Sequence, residues 1–153
     1  MKLLNFLNFI NGISNFPVIP LIASCMEHGD YLTAWIVTNA GLASMISHFA
    51  ENHKHNLPGI LNLTPRHSYV LNRIDVFWAI VTATRFLYIL YSNHGLTLVQ
   101  ERPVFSTLLV VSLLLNIISE RIPFVANNPV LFTIVHSAWH VSIFTLLRYF
   151  VNF

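Results

Sequence analysis

Five stretches of about twenty mostly apolar residues follow one another along this chain, parted by short polar joins, and no other feature constrains its fold as strongly. A helix needs a run of that length to span a bilayer, and in hydrocarbon the backbone must satisfy its own hydrogen bonds, so such runs fold as helices. They lie near residues 3–26, 31–50, 71–92, 104–120 and 129–150. Charge, proline or glycine collects between them, as at Glu51 to His55 followed by Pro58-Gly59, and Pro17 and Pro20 are expected to kink the first. The predicted fold is all-α: a polytopic membrane helix bundle of about five transmembrane helices in a single domain, residues 1–153. The stretch from Leu57 to Leu63 is expected along the membrane interface.

Charge supports this and narrows the function. Only 9% of residues are charged, against roughly a quarter in a soluble domain. A net charge of +2 without a basic stripe excludes a nucleic-acid binder. Cys25 is single, so no internal disulfide forms. Asn5, Asn8, Asn11 and Asn15 interrupt the first apolar run and no small-residue cleavage site follows it, so this run is expected to stay in the mature protein.

Consecutive spans alternate in direction, which places residues on one side or the other by counting. His48 ends the second span, Asp75 lies near the start of the third, and His136 and His140 lie in the first half of the fifth, which runs parallel to the third. Four ionisable groups far apart in sequence are thus expected at one leaflet. The same side collects Lys2, Lys54, Arg66, Arg73 and Arg121, against Arg102 and Arg148 opposite, so the N-terminus and the site are expected to face the cytoplasm.

Ionisable groups are costly in hydrocarbon and call for a partner. Ser44 and His48 stand at i and i+4, as do His136 and His140, so each pair shares a helix face. Two imidazoles one turn apart make a bidentate clamp and His48 supplies a third nitrogen, the ligand set of a catalytic zinc site whose fourth position is left to water. Asp75 can then take a proton from that water or orient it, and Ser44 can donate to a developing oxyanion. Each residue also has a plainer reading: His48 as an interfacial residue, Asp75 as a helix cap, Ser44 as packing between helices.

Ser44-x-x-x-His48, then Asp75 opening the next helix, then His136-x-x-x-His140 in the last helix resemble the signature of the CREST superfamily of membrane hydrolases, which includes alkaline ceramidases and the adiponectin and progestin receptors. In the first helix, Phe9-Ile10-Asn11-Gly12-Ile13-Ser14-Asn15 with Pro20 after it is similar to the F-x-N-x-x-S-N stretch of alkaline ceramidases. The resemblance implies a zinc ion held by His48, His136 and His140, with Ser44 and Asp75 supporting attack of water on a lipid amide or ester; in the ceramidase and adiponectin-receptor branches that lipid is ceramide. Family members usually have seven spans, so this chain resembles a shortened member. Asn8 stands where ceramidases carry a glutamate, and no calcium is expected.

The expected function is therefore a zinc-dependent lipid amidase or esterase with a membrane lipid as substrate. One alternative is a non-enzymatic receptor or regulator that keeps zinc for structure; another is a b-type haem carrier with two axial histidines. Among the remaining residues, His53, His55 and His67 are expected to be solvated, Arg85 to snorkel or pair with a helix carbonyl, Glu120 and Arg121 to be helix-end interfacial charges, and Trp139 to be a packing or belt residue whose place between two histidines also lets it buttress them.

Overall fold

The computed structural model describes residues 2–50, 55, 57–61, 63–95, 97 and 101–152, and among these the fold is all-α. The first apolar run is broken rather than merely kinked. Helix α1 (Lys2–Ile13) stops where the side chain of Asn15 turns back to the carbonyls of Asn11 and Gly12, and α2 (Val18–Glu27) restarts after Pro17. Asp30 then caps α3 (Tyr31–Phe49), accepting from the backbone N–H of Thr33 at 3.0 Å. Thr64 caps α4 (Pro65–Ile89), which has Pro65 in its first turn, as suits a residue with no N–H to give, and which runs on into a π-helical turn, Leu90–His94. Helix α5 (Pro103–Arg121) leads through the single turn α6 (Pro123–Ala126) to α7 (Pro129–Val151), whose first turn is capped by Asn128.

Four helical stretches are long and apolar enough to cross a membrane: Lys2–Glu27, Pro65–Ser92, Pro103–Arg121 and Pro129–Val151. The protein is a membrane protein on this ground. Helix α3, expected as the second span, has 19 residues but is not among the four. The reason lies in its composition: Thr38, Asn39, Ser44, Ser47 and His48 lower its mean hydropathy, and α1, α2 and α4 pack around it.

Packing follows these pairs. Helix α3 lies against α1, α2 and α4, while α7 lies against α1, α2 and α5. A core of Val18, Leu21, Cys25, Val37, Phe86, Phe105, Phe144 and Phe150 fills one end of the bundle, where the Phe150 ring meets those of Phe86 and Phe105 at centroid distances of 5.8 and 5.7 Å. A smaller cluster of Leu7, Leu57 and Phe132 closes the other end. Leu57 is therefore turned inward, not laid along the interface, and the backbone N–H groups of Ile60 and Leu61 both donate to the carbonyl of Phe49 at the end of α3. Asn8 secures this fold-back from α1, donating to the carbonyls of Ala50 and Pro58, both at 3.0 Å.

Candidate metal centre

Three imidazoles converge at the end of the bundle where α3 finishes and α7 begins. His48, His136 and His140 are all buried, and one ring nitrogen from each lies within 4.8 Å of the others. The i, i+4 spacing on α7 puts His136 and His140 on one face, and α3 delivers His48 between them, with ring centroids 4.9 and 5.1 Å away. The Nε2 atoms of His48 and His136 are 3.2 Å apart. Such a cluster suits a cation that takes nitrogen ligands.

What surrounds the rings decides which nitrogen each presents. Ser14 lies 2.7 Å from Nδ1 of His140, which leaves Nε2 of that ring for the centre. Nδ1 of His136 is flanked by the Ser119 hydroxyl at 3.5 Å and by Oε1 of Glu120 at 3.6 Å, so its Nε2 also faces inward. Orientation of a ligand imidazole through its other nitrogen is the usual arrangement of metal sites. Asn11, one turn before Ser14, donates to Thr133 at 3.3 Å and accepts from Ser137 at 3.3 Å, so α1 grips α7 along the ligand face. Trp139 packs its ring 5.0 Å from that of His136 and 4.9 Å from that of His140, in the buttressing position expected of it.

Beside the histidines a cavity of about 550 Å³ opens between α4 on one side and α5 and α7 on the other. Asp75, Ser44, His48 and His136 all line it, so the sequence-predicted carboxylate and hydroxyl share a space with two of the three imidazoles; His140 sits behind this wall. Ser44 stands beside the Asp75 carboxyl in this wall, within its hydrogen-bonding reach. The Ser68 hydroxyl, 3% exposed, lines the same cavity without a partner among the described residues. Arg73 stands in the wall with its guanidinium 4.8 Å above the ring of Tyr69.

Several expectations are corrected here. His55 is not solvated: it is 1% exposed, with Nδ1 donating to the carbonyl of Ala126 at 2.9 Å and its ring stacked 3.6 Å from that of Phe132. Glu120 lies at the end of α5, as expected of a helix-end charge, and it also has partners: Oε1 lies 3.6 Å from His55 and from His136 alike. Arg85 reaches the partly exposed start of α3, and its partner there is not a helix carbonyl: it pairs with Asp30 at 3.0 Å and donates to Thr33 at 2.8 Å. His67 is exposed and bonded to Thr64, while His53 lies outside the described residues. No periodic signal marks Glu120 or His55, since their partners lie on other elements; the only clue was a carboxylate at the end of a span facing the side that holds the histidines.

Comparison with known proteins adds one relative. The chain is 38% identical over 143 residues to the uncharacterized protein L282 of Acanthamoeba polyphaga mimivirus, an alignment covering 92% of this chain and 93% of the viral one. It belongs to that protein's family. No family model matches the chain, and no solved structure matches it significantly. The alignment runs along nearly the whole chain, so helices that supply the histidines and helices that wall the cavity lie in a shared segment rather than in a local motif.

Proposed function

We propose that this protein is a zinc-dependent hydrolase that cleaves an amide or ester bond of a membrane lipid. The observation that carries the reading is the convergence of three buried imidazoles beside a carboxylate in a cavity walled by apolar helices. His48, His136 and His140 would hold the ion. A zinc ion held there would supply a Lewis acid and would make water acidic near neutral pH.

The chain's own residues supply the remainder. Asp75 lines the cavity and accepts the proton that the attacking water gives up, and Ser44 beside it supplies a hydroxyl to the same wall. Ser68 offers a buried hydroxyl to a polar group of the lipid, which would complete its hydrogen bonding. Helix α4 packs along α3 and meets α7 through Phe86 and Phe150 in the core at the other end, so a lipid would enter the cavity from the bilayer between α4 and the helices facing it. The resemblance to the CREST hydrolases supports the same assignment, with ceramide or another acyl lipid as substrate. Counting α1 with α2 as one crossing and α3 as another makes five passes, and the Lys and Arg bias then sets the N-terminus and the site on the cytoplasmic side.

Two other readings are weaker on specific grounds. A haem slotted between two axial histidines needs them to face one another across a flat ring, whereas His48 and His136 touch through their Nε2 atoms and His140 packs against both. A receptor that keeps zinc only for structure gives no task to Asp75 at the cavity wall. The test is lipid analysis of cells or vesicles carrying wild type or Asp75→Asn. We expect free fatty acid to accumulate with wild type and to fall by 100-fold or more in the variant, on the order of a lost general base, while bound zinc stays the same. Equal lipid profiles with equal zinc would leave the non-enzymatic reading standing.

A further inference from the structure

We infer that Glu120 is a positioning residue for His136 and that His55 holds it in place, so that a buried chain His55–Glu120–His136 sets the geometry of the metal centre from outside the ligand set. The inference rests on the zinc reading above. Its basis is one carboxylate oxygen: Oε1 of Glu120 stands 3.6 Å from Nδ1 of His136 and 3.6 Å from Nε2 of His55. A ligand imidazole that presents Nε2 carries its proton on Nδ1 and needs an acceptor there. The Ser119 hydroxyl is within 3.5 Å of that nitrogen, but a carboxylate is the stronger acceptor.

The placing of His55 has no explanation in packing alone. Its ring stacks on Phe132 at an interplanar angle of 13°, and Phe132 in turn stacks on His136 at 27°, so three rings form a pile whose rim Glu120 spans. A phenylalanine ring could stack on Phe132 in the same way, so the stack by itself does not call for an imidazole. The polar edges account for the histidine. A carbonyl only accepts, so the bond to Ala126 assigns the proton to Nδ1 and turns Nε2 towards Glu120. Nε2 of His55 and Nδ1 of His136 thus face the same carboxylate oxygen from two sides, and that placement pins Glu120 beside His136. His55, which lies between α3 and α4 in sequence, thereby takes part in the centre that α3 and α7 form.

The experiment measures zinc affinity of detergent-purified protein by competition with a chromophoric chelator. Glu120→Gln is expected to weaken zinc binding about 10–100-fold with helical content unchanged by circular dichroism. His55→Phe, which keeps the stack, is expected to weaken it in the same direction by a smaller factor, and the double variant to be no weaker than Glu120→Gln alone. Glu120→Asp, which keeps the charge at shorter reach, should recover part of the loss. Wild-type zinc affinity in Glu120→Gln, or additive losses in the double variant, would overturn the inference while leaving the hydrolase reading intact. Wild-type protein that takes up no zinc would overturn both.

Discussion

Asp30 accepts the N–H of Thr33 that opens α3 and pairs with Arg85 of α4, so one carboxylate joins a helix start to its neighbour. Burial pushes its carboxyl up, but the hydrogen bonds from Thr33 and the Arg85 guanidinium outweigh that and hold it below its ordinary value of 3.8. A carboxyl whose folded pKa is depressed contributes stability that is complete above its unfolded pKa and is lost as the pH falls through the folded one. Asparagine caps as well as aspartate but carries no charge. Asp30→Asn is therefore expected to be less stable at pH 7 by up to about 1 kcal/mol, a modest figure because the pair is partly exposed, and the gap should close below pH ~4. Thermal unfolding in detergent across that range checks it; a gap that persists at acid pH would mean the cap, not the ion pair, is responsible. This pairing was not legible in the sequence, because Asp30 and Arg85 lie on different helices and only packing brings them together. The asparagines of α1 were equally opaque. They interrupt an apolar run for a reason outside the run: Asn8 binds the turn after α3 and Asn11 binds α7.

Among the elements, the boundaries of the helices were largely readable, since proline at the first turn and a capping side chain before it are local signals, as at Thr64-Pro65 and Asn128-Pro129. How closely two helices approach was not. Gly41 of α3 meets Val18 of α2 so tightly that an added Cβ would stand 2.8 Å from a Val18 methyl. In open space Gly41→Ala would stabilise a helix by about 1 kcal/mol. Here the methyl has to displace a stiff β-branched neighbour, at about 1–3 kcal/mol. A net loss is expected, with part of it recovered when Val18→Ala is added. Unfolding of the single and double variants measures this, and a stabilised Gly41→Ala would show that the helices do not touch. The low apolarity of α3 belongs at this scale as well: its polar residues serve the helices and the cavity around it, and so it reads less like a span than its neighbours.

Across the whole molecule, α1 and α2 bridge α3 and α7, aromatic rings close one end of the bundle, and the cavity lies at the other between α4 and the helices α5 and α7. The three histidines come from α3 and α7, which are joined mainly through α1 and α2, so an ion held among them would add a direct tie between the two helices. Zinc at about 100 times its dissociation constant is accordingly expected to stabilise the fold by about 2.7 kcal/mol. His48→Ala, which removes the ligand of α3, should abolish that shift in the unfolding midpoint. An equal shift in the variant would place the metal elsewhere. The sequence by itself determined the solvent, the helical class and the pairing of residues one turn apart, because apolar length and the 3.6-residue repeat are properties of a single element. It also brought His48 to the level of His136 and His140, because alternating direction follows from span count. Only the tertiary structure decided that Glu120 and His55 stand behind His136, that Ser14 holds His140, that Ser44 stands beside Asp75 and that Arg85 finds Asp30. Those partners depend on how helices rotate and lean against each other, and that is set by the fit of many side chains at once, which no one-dimensional pattern records.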